Sequence, residues 1–284
     1  MATTAFQNSY RQEFIHGFEQ TQSLIRDAVT TEAVIKGNTA IFLVADSGSA
    51  TTVTRGVNGL IPARTDNLSQ LTCTLTEEHD LARKTGFNIF ASQGDQKRIM
   101  QETSMGVVNR KIDSQIITAL GSATNDTGTA ATASMNLVTK SRAILGQNAV
   151  PITDGNLCAL ISPAFEAYLL QIKEFASADY VDGKPLVGAN AGFNNSPKMI
   201  NWLNCNWIVS PQISGIGTAA ELCYMFHKNS IGHAINLAGL QSQVGYDEEQ
   251  DYSFARTSAY MGAKLLQNSG VVQMIHDGSA YVAS

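Results

Sequence analysis

Cysteine is scarce in this 284-residue chain, with four in all, and no two of them form a Cys-x-x-Cys pair. Cys73, Cys158, Cys205 and Cys223 are so scattered that each reads as a buried free thiol, not as a metal ligand or half of a disulfide. Charge is sparse as well: 15% of residues are charged, the net charge is -5, and Lys and Arg nowhere cluster. That balance excludes tight binding to a nucleic acid backbone, which depends on grouped cations releasing counterions. Long apolar runs are missing. The best, residues 40–45, is closed off by Asn38 and Asp46 and falls far short of the roughly 18 to 20 residues that span a bilayer, so no membrane partner is expected. The opening MATTAFQNSYRQEF lacks the charged, apolar, small-residue order of a signal peptide, which favours a cytosolic origin.

Catalytic constellations are equally thin. Gly215-Ile216-Gly217-Thr218-Ala219-Ala220 fits G-x-G-x-x-A, yet about 20 residues later, where a ribose-binding carboxylate belongs, the chain reads INLAGLQ. A plain turn is the better reading, with a nucleotide-binding enzyme as the alternative. His227 and His233 are six apart, the wrong interval for one helical face, and a third zinc ligand is missing. His276-Asp277-Gly278 imitates part of a triad, but no serine sits in a G-x-S-x-G elbow. Asp179 and Asp182 flank an ordinary turn signature, and the acidic run 247–251 lacks the glycine of a calcium loop and reads as solvated. No catalytic, cofactor-binding or metal-ligating residue is assigned, and an enzyme is not expected.

What is present is periodicity. At 44% hydrophobic the chain can bury a core in one large or two modest domains. Residues 95–120 form the clearest element: Met105, Val108, Ile112, Ile116 and Leu120 recur at three or four residues, which predicts one long helix with a single apolar stripe. Ser92 and Asp95 offer caps, and Gly121 offers a left-handed stop. Tyr10, Phe14 and Phe18, continued by Ile25 and Val29, predict an amphipathic N-terminal helix whose aromatic face covers its own domain or a neighbouring subunit. Residues 39–45 read as a short buried strand. Between 55 and 90, alternation in 68–75, a polar EEHD and a second arm through Leu81, Phe87 and Ile89 predict a long hairpin that needs another surface for support. Residues 121–134 read as an exposed loop. Beyond them come a helix over 137–146, a strand at 157–161 and a helix from Ser162-Pro163 to about Phe175. Strands at 207–209 and 222–226, a short helix at 230–235, and a hairpin of 252–266 with 270–276 complete the reading.

This order of elements resembles the major capsid proteins of tailed bacteriophages over nearly the whole chain. The resemblance lies in a hairpin entered through RGVNGLIPAR and left through KTGFNIF, a spine helix opening with SQGDQ, and a C-terminal SAYMGAKLLQNSGVVQMIHDGSA. FASADYVDGKPL, NWIVSP and CYMFHKNSIGHAI between them are also similar to segments of phage coat proteins. It implies an α+β chain of the tailed-phage capsid (Johnson) fold. The divisions would be an N-terminal arm (1–38), a peripheral strand and loop (39–54), an extended loop hairpin (55–92), a peripheral domain with the spine helix (93–134), an axial domain (135–250) and closing C-terminal strands (251–284). It further implies assembly with copies of itself into hexamers and pentamers of an icosahedral head that encloses double-stranded DNA without sequence-specific binding. Portal and decoration proteins are the other implied partners, with a separate scaffolding protein or none, and the chain would be made in the bacterial cytoplasm and reside in the virion. Candidate contacts between subunits are Tyr10, Phe14 and Phe18 on the arm and Arg55, Arg64, Glu77, Glu78, Arg83 and Lys84 in the hairpin. An encapsulin-like compartment shares the architecture and is the other alternative.

Overall fold

A computed structural model describes residues 20, 22–31, 34–47, 50–64, 67–91, 96–176 and 200–281. Two compact units divide the chain, each assembled from three stretches: Met1–Ser23, Thr76–Ser114 and Ile235–Met261 in the first, Leu24–Leu75, Gln115–Ala234 and Gly262–Ser284 in the second.

The first unit is built on a three-stranded sheet in the order β4 (Thr76–Thr85), β10 (Tyr252–Leu265), β9 (Ile231–Asp247). β10 and β4 run antiparallel in an unbroken register from Tyr252 opposite Thr85 to Met261 opposite Thr76. Along β10 the buried positions Ser253, Ala255, Thr257 and Ala259 alternate and are all small, which lets a helix lie close on that face. The helix is α2 (Gln96–Leu120), whose buried Ser104 hydroxyl donates to Thr257 Oγ1 at 3.1 Å. Its expected stripe is present, with Val108, Ile112, Ile116 and Leu120 buried and Met105 half-buried. Two features differ. Asp113, assigned to the polar face, is fully buried, and Gly121 ends the helix without a left-handed φ. The proposed caps Ser92 and Asp95 lie outside the described residues, as do Tyr10, Phe14 and Phe18.

The second unit carries a five-stranded sheet, β11 (Val271–His276), β8 (Glu221–His227), β5 (Leu157–Ile161), β7 (Cys205–Val209), β6 (Ile200–Trp202). Only β5 and β7 are parallel. β5 is buried at every position, as its unbroken apolar run requires of a central strand. The strands expected at 157–161, 207–209 and 222–226 are therefore in place, as is the helix α3 (Met135–Gln147), capped by Ser134. Ser162 caps α4 (Pro163–Leu169) by accepting from the Phe165 amide at 3.1 Å. The helix predicted to reach Phe175 breaks after Leu169, where the bonds Gln171 N to Tyr168 O and Ile172 N to Leu169 O tighten the turn, and α5 (Lys173–Ala176) follows. Phe165, Phe175, Trp202 and Trp207 form the aromatic core beside the sheet, with Trp207 Nε1 donating to Trp202 O at 3.1 Å.

Residues 121–134 are more than a loop. Residues 125–131 run along the edge of β11, with Thr127 N–H donating to Gln273 O and Ala131 N–H to Ile275 O, and Thr127 is buried. An otherwise open sheet edge is thereby closed by the chain's own backbone.

The largest departure concerns pairing. Residues 68–75 do not pair with 81–89: β3 (Asn67–Thr74) pairs with β2 (Thr39–Asp46), which also pairs with β1 (Val34–Lys36), while β4 pairs with β10. Glu77, Glu78, His79 and Asp80 lie within β4 and form no turn. Leu75 alone separates β3 from β4, too little chain to reverse direction, so the strands continue into different sheets. The C-terminal hairpin fails for a similar reason, since β10 and β11 belong to different sheets and Asn268–Gly270 forms a single 3-10 turn between them. Residues 231–235, expected as helix, open the 17-residue strand β9, where Ile231 and His233 alternate with Gly232 and Ala234. α1 (Gly86–Ala91) closes β4. Of the N-terminal helix, Arg26–Ala28 is a 3-10 turn between buried Ile25 and Val29.

Candidate assembly surfaces

The β2–β3 hairpin begins in the second unit's core and leaves it. Ala40, Phe42 and Cys73 are buried with Ala234, and Ile35, Leu75 and Leu266 pack around them. The Phe42 ring lies on Gly232 so closely that a Cβ there would stand 2.6 Å from it, so glycine is what admits the ring. Further out along the hairpin the support ends: Leu43 is 63% and Leu68 68% exposed. At the tip Val53, Val57, Leu60 and Ile61 are all exposed, Val57 completely. A small turn shapes this tip, with Gly56 N–H donating to Leu60 O at 3.0 Å and Gly59 N–H to Gly56 O at 2.9 Å, Gly59 taking a φ of +75° that favours glycine. Arg55 and Arg64 flank it, both exposed, and no carboxylate lies between residues 50 and 64. Six exposed apolar side chains on one narrow hairpin are a surface waiting for cover.

The other hairpin candidates sit in the first unit, on β4, and have partners within the chain. Glu77 meets His79 Nε2 at 2.9 Å while His79 Nδ1 bonds the Ser258 hydroxyl at 2.8 Å. Glu78 reaches Lys111 of α2 at 3.3 Å. The Arg83 guanidinium lies 4.8 Å from the Tyr252 ring centroid, a cation on an aromatic face. Lys84 is half-buried opposite Ser253. These exposed pairs are worth about 0–1 kcal/mol each. Sequence reading missed both the exposed apolar tip, visible in hindsight as Val57, Leu60 and Ile61 between glycines and Pro62, and a polar tie at Asp113. There Gln20 Nε2 and Ser23 Oγ donate to the buried carboxylate, the latter at 2.5 Å, and Arg110 donates to Gln20 O at 3.1 Å.

The candidates for chemistry, Ser162, Glu221 and His276, are interior struts. Glu221, on β8, accepts from Ser162 Oγ and from Gly217 N–H at 2.8 Å, and its carboxylate fills the space where a Gly278 side chain would stand. His276 Nε2 is 3.9 Å away, its Nδ1 is 3.2 Å from Ala131 O, and Phe165 and Tyr168 rings close over it. Burial outweighs the neighbouring carboxylate and holds the imidazole below its usual pKa, hence neutral. Ser162, Glu221 and His276 are thus together but buried, and the serine donates to the glutamate, not to the histidine. The Gly215 motif is a turn: Gly215 and Gly217 have φ of +77°, and a strand follows where a phosphate-binding helix would be needed. His227 Nδ1 accepts from Asn229 N–H at 3.2 Å, which leaves Nε2 to donate to Asp154 Oδ2 at 2.9 Å; that bond is the main cause lowering the Asp154 pKa to about 2. The four cysteines are buried, and burial pushes Cys158 up to about 11 and Cys223 to about 12, far from a reactive thiolate. Among the described residues no three His, Cys, Asp or Glu side chains are placed to hold a metal, and no helix is long and apolar enough to cross a membrane.

Solved phage structures share this fold. The chain superimposes on the capsid of Ralstonia phage GP4 with a TM-score of 0.71 at 11% identity, covering 99% of this chain and 98% of that one. Mycobacterium phage Che8 gives 0.71 at 15% identity over 96% and 98%, and the capsid of cyanophage P-SCSP1u gives 0.70 at 11% over 96% and 93%. No curated protein matches the sequence. Neither the cofactor-enzyme nor the encapsulin alternative finds support in these likenesses. Residues 2–277 match the family described as phage capsid protein, and the chain belongs to that family: it is a structural protein of the phage head, not an enzyme.

Proposed function

We propose that this chain is the major head subunit of a tailed phage, assembling as hexamers and pentamers into an icosahedral shell around double-stranded DNA. The observation that supports it best is the β2–β3 hairpin, which carries apolar side chains out of its own core to an arginine-flanked tip. Fully burying Val53, Val57, Leu60 and Ile61 on a neighbour would contribute at most about 1.5–3 kcal/mol each, less the cost of ordering the loop. Modest per subunit, such contacts add up when repeated around a closed shell. The arm residues Tyr10, Phe14 and Phe18 and the charged positions Arg55, Arg64, Glu77, Glu78, Arg83 and Lys84 are the remaining contact candidates. Of the proposed extended loop 55–92, residues 55–64 are its reaching part, whereas 76–85 belong to a sheet of the first unit. We assign the peripheral role to that unit and the axial role to the five-stranded sheet. Host cytoplasm is the place of synthesis in this reading, with portal, decoration and scaffolding proteins as further partners. Sedimentation of the chain coexpressed with its neighbouring head genes tests the proposal: closed particles of megadalton mass are expected, and monomers or dimers alone would refute it.

A further inference from the structure

His233 lies near the start of β9, where Gly232 and Ala234 face Phe42 and the β2–β3 core, so its ring points to the opposite side of the strand. It is wholly buried, and neither ring nitrogen has a hydrogen-bond partner among the described residues. A short strap, residues 24–31, is fastened to the same stretch of β9. Thr30 bridges Gly232 in parallel, its N–H donating to Ile231 O at 3.0 Å while His233 N–H donates to Thr30 O at 2.9 Å. The Thr30 hydroxyl adds a bond to Lys228 O at 3.2 Å, and Ile25, Ala28 and Val29 are the strap's buried side chains. Arg26, in the 3-10 turn of the strap, is the charged group that acts on the imidazole.

We propose that His233 is an acid-sensitive release for this strap: a proton on the ring creates a buried cation with no hydrogen-bond acceptor among the described residues, and the strap opens so that the ring can reach water. The strap meets β9 through an isolated bridge and not through a ladder of strand pairs, so local opening precedes loss of the sheet. Burial first, and Arg26 second, hold the closed-state pKa down to about 4 against an ordinary 6.5. The open form therefore binds the proton more tightly, the strap is most secure above pH 6.5, and its opening constant rises about tenfold per pH unit towards pH 4, where the rise levels off. The effect belongs to the single subunit and is independent of how subunits assemble.

Hydrogen exchange of the full chain, followed by mass spectrometry between pH 7.5 and 4 and corrected for intrinsic rates, tests it. Peptides covering residues 24–31 should lose protection as pH falls below 6.5 while those of β5 keep theirs. His233→Phe, which fills the site without titrating, should abolish the pH dependence, and Arg26→Gln should reduce the total rise. An unchanged strap in the wild type would overturn the proposal. So would an equal rise in His233→Phe, or loss of protection in the strap and β5 together. If His233→Phe does not fold, a total rise in Arg26→Gln as large as the wild type's would do the same.

Discussion

Asp113 has no exposed surface, and its carboxylate accepts from Gln20 and Ser23. Asp113→Ala would take one acceptor from each donor, so urea unfolding should show a loss of about 1–3 kcal/mol, and Asp113→Asn, which keeps an acceptor, a smaller one. His276 makes a separate prediction. Its folded pKa lies below the ordinary value, so the unfolded chain takes the proton first and stability falls as pH drops below 6.5. Comparing wild type with His276→Phe between pH 8 and pH 5.5 should show a shallower loss in the variant; equal slopes would mean that the ring does not titrate with unfolding. The buried role of Asp113 was not legible in the sequence. Asp113 looked like one more polar residue on the outer face of a helix, and its burial is made tolerable by bonds that the fold brings in, those of Gln20 and Ser23 coming from some ninety residues away in the chain. Glu221, likewise, draws its partners from Ser162 and Gly217 through the fold.

Elements set by local periodicity were legible, and elements set by partners were not. α2, α3, β5, β7 and β8 follow from spacing and caps that act within a few residues of each other. β3 and the second half of β4 were recognised as strand, but alternation says which face a residue takes and nothing about which strand lies alongside, so a hairpin was drawn with Glu77–Asp80 as its turn. The true pairing changes what can be removed. Replacing residues 50–64 by a short Gly-Ser turn keeps the β2–β3 register and every bond of β4, and should leave a soluble subunit with an unchanged unfolding midpoint that no longer forms particles. Deleting residues 64–85 would instead take β4 from its sheet, and the protein should unfold or aggregate. Circular dichroism melts of the two variants separate these outcomes.

At the scale of the whole molecule, family membership over residues 2–277 and a chain that buries His227, His233, His276, its four cysteines and the Ser162–Glu221 contact describe a building block. The exposed apolar hairpin is what such a block has left to offer a neighbour. The most direct measurement is a cryo-electron microscopy map of the assembled particle at a resolution that traces side chains. Residues 50–64 should lie against an adjacent subunit, with Val57, Leu60 and Ile61 covered and Arg55 and Arg64 at the rim of the contact. A map in which the tip remains in solvent, or folds back on its own subunit, would contradict the account.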